Sequence, residues 1–168
     1  MTRTLFSTGW TLASMLGLAG ALLFGTAAAA DDQAAVVAAA TVQAEQWLGE
    51  LDSHRYAENW EQTAEVLKQK FSEEAWTREV GRPRELLGRV LIREQKQADY
   101  STLVPGGQPG KYVMVVYLTQ FANTTPVLEK VLVKLDDDGR WRIAGYDIAR
   151  PPGAAAASGS PARPSTKE

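Results

Sequence analysis

Apolar positions recur at three- and four-residue steps in the first half of the chain, a period that predicts helices. Residues 34–51 form the first predicted helix. A second, short helix carries the apolar residues from Tyr56 to Leu67, after a break at Asp52-Ser53-His54. Ser72 is a suitable N-cap for a third helix, and two glutamates follow it. Pro83 should kink or restart this helix because proline removes a backbone donor.

The apolar period changes to two in the second half of the chain, which predicts strands. The first strand begins at Val90, and the second, Tyr112–Phe121, is apolar on both parities. Apolarity on both parities is typical of a central strand covered on both faces. Val127–Leu135 and Trp141–Ile148 are the third and fourth strands, joined by a hairpin turn at Asp136–Gly139. Three helices followed by four antiparallel strands predict an α+β fold.

The first thirty residues have the pattern of a signal peptide. Arg3 supplies a positive charge, Trp10–Phe24 is mostly apolar, and Ala28-Ala29-Ala30 fits a signal peptidase site before Asp31. An uncleaved membrane anchor is the alternative, but the apolar run is shorter than the ~20 residues that a span needs. We therefore expect export to the periplasm, with no membrane span left after cleavage.

The pattern divides the chain into a signal peptide, residues 1–30, a single α+β domain, residues 31–150, and a tail, residues 151–168. The tail is rich in Pro, Ala and Ser and has no apolar period. Such a segment buries too little apolar surface to offset its ordering entropy, so we predict that it is disordered.

Composition narrows the function further. The chain has 18 basic and 20 acidic residues, a single histidine and no cysteine. Without a basic surface, nucleic acid is not an expected partner. Without cysteine there are no disulfides or thiolate metal sites, and His54 alone cannot build a site of several histidines. We expect no metal and no cofactor.

Three charged residues among apolar neighbours are the candidate site residues. Arg93 and Glu129 lie on predicted strands, and Arg84 lies where the third helix leads into the sheet. A charge on a half-buried strand costs several kcal/mol unless it is paired, so a guanidinium–carboxylate pair is the interpretation we favour. The alternative is that these groups, with Tyr117 on the second strand, anchor an anionic or polar ligand in a sheet-lined cavity.

Other chemical patterns fail on their spacing. The loop Gly106–Lys111 is followed by Tyr112, where a phosphate-binding loop needs Ser or Thr. A calcium loop around Gly139 would place Lys134 at its first ligand position. His54 lies in a helix break next to Asp52 and Ser53, where a surface or capping role is expected rather than a catalytic triad.

A proton-abstraction site built from Tyr117, Tyr146 and Asp147 is a further hypothesis. Tyr146 and Asp147 are adjacent on one strand, so their side chains point to opposite faces. We therefore expect that they do not line one pocket together.

An ordered set of landmark residues resembles the bacterial family named domain of unknown function 4019, over about Ala44 to Arg150. The landmark residues include Trp47, Asp52, Tyr56, Trp60, Trp76, Arg84, Gly88, Arg93, Tyr117, Phe121, Glu129, Gly139, Trp141 and Tyr146. The resemblance implies helices packed on a curved sheet, as in cystatin-like and nuclear-transport-factor-two-like folds, and it brings no established activity. In one departure, Asp147 stands where the resemblance leads us to expect an aromatic residue.

These observations favour an exported, non-enzymatic module that binds a small ligand or another envelope protein. The sequence shows no nucleophile, base and metal set that would converge on a substrate. The alternative is a hydrolase or isomerase that uses carboxylates alone in the concave face of the sheet.

Overall fold

The structure is a computed structural model, and it describes residues 24–152. Most of the predicted signal peptide, residues 1–30, and nearly all of the predicted tail, residues 151–168, lie outside the described residues. Cleavage before Asp31 and disorder of the tail therefore stay predictions.

Four helices precede the sheet: α1 (Phe24–Asp52), α2 (Tyr56–Glu61), α3 (Glu65–Lys68) and α4 (Glu73–Leu87). Helix α1 starts before the predicted helix does and contacts all four strands. One apolar face of α1 is fully buried, and its members are Ala40, Ala44, Trp47, Leu48 and Leu51. The apolar residues at three- and four-residue steps in the sequence therefore mark the face of α1 that packs on the sheet.

The predicted second helix is two helices in the structure. Residues between α2 and α3 leave the helical path because they pair with the edge of the fourth strand. Ala64 N donates to Ile143 O at 2.8 Å, and Ile143 N donates to Gln62 O at 3.1 Å. Thr63 forms a parallel bridge with Ile143. Because the paired residues are far apart in the sequence, local apolar periodicity does not indicate this contact. The prediction of a single helix here was therefore wrong.

Helix α4 has the N-terminus that the sequence predicts. Ser72 Oγ accepts a hydrogen bond from Ala75 N at 3.2 Å, which caps the helix. The helix continues without interruption past Pro83, so proline does not restart it. Gly88 ends the helix with a φ of 75°, a backbone conformation that glycine adopts without strain.

The four strands are β1 (Val90–Ser101), β2 (Lys111–Phe121), β3 (Val127–Leu135) and β4 (Trp141–Ala149). They form one antiparallel sheet in the order β1-β2-β3-β4, which confirms the predicted α+β class. The sheet is open, because the edge strands β1 and β4 do not pair with each other.

The β3–β4 hairpin turns where the sequence predicts. Gly139 has a φ of 78°, and its N–H donates to Asp136 O at 2.9 Å. Arg142 binds Asp138 at 2.7 Å and Asp136 at 3.1 Å, so these two carboxylates are paired with a guanidinium. The turn is a salt-bridged hairpin.

Strand β1 departs from simple alternation. The pairing with β2 shifts between Val90 and Ile92 and again between Gln95 and Gln97, as β-bulges do. Because each shift inserts one residue, Ala98 packs against the core although it has the opposite parity to Arg93. The strand also runs well beyond the six residues whose alternation is visible in the sequence.

The core lies between the helices and one face of the sheet. From β2 it takes Val113, Val115 and Tyr117, all of the same parity. Met114 and Val116 of the other parity are only half-buried. The prediction that β2 is central is confirmed by the strand order, but the described helices cover only one of its faces. On the other face, Met114 lies opposite Leu132 and Leu118 opposite Leu128 in the β2–β3 pairing.

Candidate functional site

Four charged side chains form a closed cycle of ion pairs between the helices and the sheet. Asp52 ends α1, Arg84 lies on α4, Arg93 on β1 and Glu129 on β3. Arg84 Nη1 is 2.6 Å from Glu129 Oε1, and Arg93 Nε is 2.8 Å from Glu129 Oε2. Glu129 therefore bridges both guanidinium groups.

Asp52 closes the cycle on the other side. Its carboxylate accepts two hydrogen bonds from Arg93, from Nη1 at 2.6 Å and from Nη2 at 3.0 Å, and it also contacts Arg84 Nη2. Each arginine thus binds both carboxylates, and the formal charges of the four groups cancel. We call Asp52, Arg84, Arg93 and Glu129 the ion-pair ring.

Two hydroxyl groups complete the hydrogen bonding of Glu129. Tyr146 Oη donates to Glu129 Oε1 at 2.5 Å and accepts from Arg84 Nη1 at 2.9 Å. Thr119 Oγ1 donates to Glu129 Oε2 at 2.5 Å. Each carboxylate oxygen of Glu129 therefore receives one guanidinium N–H and one hydroxyl, which satisfies a charge that water does not reach.

Burial and the guanidinium groups act in opposite directions on Glu129. Its side chain has no exposed surface, and burial by itself would raise its pKa. The charge of Arg93, together with that of Arg84 and the hydroxyl of Thr119, instead holds the pKa below the ordinary value for glutamate. Arg84, which is 4% exposed, also lies with its guanidinium carbon 5.0 Å from the centre of the Phe121 ring. Glu129 is consequently an anion at neutral pH.

Tyr146 is neutral in the same surroundings. Burial raises the pKa of its hydroxyl, and the negative charge of Glu129 raises it further. The hydroxyl therefore acts as a hydrogen-bond donor to Glu129 rather than as a source of charge.

The structure brings three of the four predicted site residues together. The predicted pairing of Glu129 with Arg84 or Arg93 is confirmed, and Glu129 binds both. Sequence reasoning did not identify Asp52 as a site residue and named it only in a helix break and among the landmark residues of the family resemblance. A usable signal existed: Asp52 follows Leu48 by four residues, so it continues the buried face of α1.

Tyr117, the fourth predicted site residue, is outside the hydrogen bonding of the ion-pair ring. It lies directly across from Glu129 in the β2–β3 pairing and is 2% exposed. Its hydroxyl has no hydrogen-bond partner among the described residues. Burial, with the negative charge of Glu45, raises the pKa of this hydroxyl, so it too stays protonated.

Two further candidates face solvent. His54 is exposed, with a φ of 58°, and its Nδ1 lies 2.8 Å from the Tyr56 hydroxyl. Asp147 points outward with 65% of its side chain exposed, whereas Tyr146 points inward to Glu129. This confirms that Tyr146 and Asp147 have opposite orientations.

An open cleft of about 560 Å³ lies between α4 and β4, and we call it the α4–β4 cleft. Its apolar lining includes Phe71, Trp76, Val80, Pro83, Tyr146 and Ile148. Two exposed charged residues, Lys70 and Glu79, also line it, whereas Asp147 borders it with its carboxylate on the outer face of the sheet beside Lys130. The cleft thus combines an aromatic and aliphatic interior with charges at its solvent side.

A buried asparagine fixes the tryptophan of this cleft. Trp76 Nε1 donates to Asn59 Oδ1 at 3.2 Å, and Asn59 Nδ2 donates to Trp47 O at 3.1 Å. Trp47 Nε1 in turn donates to Asn59 O at 3.1 Å. The rings of Phe71 and Trp76 meet edge to face, with centroids 6.3 Å apart. The aromatic lining is therefore set by the fold before any ligand arrives.

Residues 24–152 contain no group of three or more acidic or histidine side chains placed to hold a metal ion. In the same part of the chain, no helix combines the length and apolarity that crossing a membrane requires.

Comparison with known proteins gives one match. A family model described as "Protein of unknown function (DUF4019)" matches residues 43–146, a range that includes the whole ion-pair ring and most of the cleft lining. No curated protein and no solved structure matches the chain.

Proposed function

The chain belongs to the DUF4019 family of proteins of unknown function, and we propose from its own geometry that it is a non-enzymatic binding module for a small apolar ligand. The α4–β4 cleft carries this proposal. Its volume of about 560 Å³ falls within the roughly 300–1,000 Å³ that small-molecule sites occupy. Its aromatic and aliphatic lining is the usual composition of such sites.

The ion-pair ring supports a binding role over a catalytic one. A general acid at neutral pH needs a raised pKa, whereas the pKa of Glu129 is lowered. A general base needs a free carboxylate, whereas Glu129 and Asp52 are each bound by two arginines. A ligand at the ring would have to displace one of these carboxylates. We therefore assign the ring to the architecture and the ligand to the cleft.

Export is part of the proposal. The signal-peptide pattern of residues 1–30 would deliver the domain to the periplasm, where it would bind its ligand without a membrane span. We expect intact-mass analysis of periplasmic protein, produced from the full sequence, to give a mature chain that begins at Asp31. A mass that retains residues 1–30 would contradict export through a cleaved signal.

Binding in the cleft can be tested with N-phenyl-1-naphthylamine, a neutral probe whose fluorescence rises in apolar surroundings. Ala144 lines the cleft, so Ala144→Trp should fill part of it and weaken probe binding roughly tenfold, or by about 1.4 kcal/mol. Ala149→Trp is the matched control, since Ala149 is on the same strand but does not line the cleft. Equal affinity in both variants, or no binding by the unmodified protein, would refute the proposal.

A further inference from the structure

The outer face of the sheet is the one turned away from the core, and no helix of residues 24–152 covers it. The strand pairing aligns its side chains in three rows that run from β1 to β4. The rows are Asp99, Met114, Leu132 and Gly145; Gln97, Val116, Lys130 and Asp147; and Glu94, Leu118, Leu128 and Ala149. Five of the six positions on the central strands β2 and β3 are large and apolar. The outer face therefore has an apolar centre with polar or small residues at its edges.

The charged residues of the outer face leave one carboxylate and one ammonium group incompletely paired. On β1, Glu94 contacts Lys96. Asp99 accepts a hydrogen bond from a neighbouring glutamine, but it has no ion-pair partner within 4.0 Å among residues 24–152. On β3, Lys130 Nζ has only a long contact, 3.9 Å, with Asp147 Oδ2. The side chain of Lys130 therefore leans toward β4, away from the edge that carries Asp99.

The outer face is large enough for a stable complex. The nine residues of β3 at about 3.3 Å each, and four strands about 4.8 Å apart, give an area of roughly 570 Å². Two stacked faces of this size bury roughly 1,100 Å² in total, just above the ~1,000 Å² expected of a biological interface. Stacked sheets lie about 10 Å apart and interdigitate their apolar side chains. An interface of this size predicts a dimer that dissociates at micromolar concentrations.

Charge and side-chain size decide between the two ways in which a two-fold axis can stack this face on itself. An axis perpendicular to the strands would place β1 over β1 and Lys130 over Lys130, so like charges would oppose each other. An axis parallel to the strands places β1 of one copy over β4 of the other, and β2 over β3. Met114 then packs on Leu132 of the other copy. Asp99 lies over Gly145, which has no side chain, one row from Lys130.

We propose that the outer face binds a second copy of this chain, in a dimer whose two-fold axis runs parallel to the strands. The apolar residues of β2 and β3 form the centre of the interface. Asp99 of each copy pairs with Lys130 of the other, so the dimer gains two ion pairs that the monomer lacks. The dimer does not depend on the proposed binding function, since the α4–β4 cleft lies on the helix side of the sheet.

One lysine in the apolar centre tests the surface. Sedimentation of the purified mature chain should show a monomer–dimer equilibrium, and Leu118→Lys should weaken it roughly a hundredfold, because the dimer would bury the added charge. The monomer tolerates this lysine, since Glu94 lies directly opposite Leu118 on the neighbouring strand. Leu86→Lys is the matched control: Leu86 is 73% exposed, lies on α4, and should leave the dimer unchanged.

Charge reversal tests the orientation of the two copies. Asp99→Lys and Lys130→Glu should each weaken the dimer roughly tenfold at low salt, because each places like charges opposite each other. The double variant should recover most of the affinity, a coupling that two independent sites would not show. Glu58→Lys makes a matching change at an exposed site on α2 and should have no effect.

The outcomes decide for or against the dimer. A chain that stays monomeric up to roughly 1 mM would overturn the proposal. A dimer that Leu118→Lys leaves intact uses another surface and would overturn it as well. Additive losses in the double variant would contradict the parallel axis. If circular dichroism shows that Leu118→Lys is unfolded, the charge reversals decide alone, because they change side chains that water already reaches.

Discussion

The ion-pair ring and the α4–β4 cleft share Tyr146 but differ in whether their charged side chains have ion-pair partners. In the ring, each charge is bound by two opposite charges, and the hydroxyl of Tyr146 completes the set. In the cleft, Tyr146 belongs to an apolar lining, and the charges of Glu79 and Lys70 have no ion-pair partner among residues 24–152. Charges bound by other side chains hold the structure together, whereas exposed charges that only water solvates remain available for a ligand.

The ring also differs from the cleft in how much of the fold it joins. With its two hydroxyl partners it draws one residue from each of α1, α4 and the four strands. The six residues are Asp52, Arg84, Arg93, Thr119, Glu129 and Tyr146. A charged network of this kind is satisfied in only one arrangement of the elements, so we expect the ring to fix how the helices sit on the sheet.

Removing the central carboxylate should have the largest effect. Glu129→Gln leaves Arg84 and Arg93 sharing Asp52, with Arg84 almost fully buried. Breaking a buried pair by removing one partner costs about 3–5 kcal/mol, and we expect a loss of this size in the free energy of unfolding. Chemical denaturation measures it, provided that the denaturant slopes of the two proteins agree.

Glu94→Gln serves as the control for this change. Glu94 lies on β1 and contacts Lys96, but both side chains are largely exposed, so the loss should be far smaller than for Glu129→Gln. A cost for Glu129→Gln as small as for Glu94→Gln would show that water reaches the ring. The ligand-anchor interpretation of Arg84 and Arg93 would then regain support.

Acid should weaken the ring without a mutation. Because the pKa of Glu129 is lower in the folded chain than its ordinary value of 4.5, its contribution to stability is complete above that pH. The contribution is lost as the pH falls below 4.5 and through the folded pKa. We expect the free energy of unfolding to fall more steeply below pH 4.5 in the unmodified protein than in Glu129→Gln. Parallel curves would contradict the assignment.

The asparagine behind the cleft tests the other region. Asn59→Ala removes the acceptor of Trp76 Nε1 and the donor to Trp47 O, and it leaves both groups buried. An unsatisfied buried group costs about 1–3 kcal/mol, so a loss in that range is expected. Probe affinity should fall as well, because Trp76 is no longer fixed. Gln43→Ala, which loses one partly buried bond to Gln62, should cost less and leave probe binding unchanged.

Sequence reasoning worked where the type of residue at a position reflects whether that position is buried. Periodicity predicted the order of helices and strands, and charges among apolar neighbours predicted the pairing of Glu129 with arginine. It failed where a contact depends on a distant partner. The bridge between Thr63 and Ile143 split a predicted helix, and Asp52 joined the ring from the end of α1. The cleft had no sequence signal, since its lining comes from two segments far apart in the chain, residues 67–83 and residues 144–148.

Two tyrosine-to-phenylalanine changes compare the two kinds of polar environment with the same chemistry. Tyr146→Phe removes a hydroxyl that donates to Glu129 and accepts from Arg84, and it keeps the aromatic ring in the cleft. A hydrogen bond to a charged group contributes about 1.5–3 kcal/mol, so stability should fall by about that amount. Probe affinity should change little.

Tyr117→Phe should have the smallest effect and the opposite sign. Its hydroxyl is buried and has no hydrogen-bond partner among the described residues, so the folded chain has lost the hydration of this group without replacement. Removing it should leave the stability unchanged or raise it by up to about 1 kcal/mol. Denaturation of both variants beside the unmodified protein measures the contrast. A loss for Tyr117→Phe as large as for Tyr146→Phe would mean that the Tyr117 hydroxyl has a bound partner, and Tyr117 would return as a ligand-binding residue.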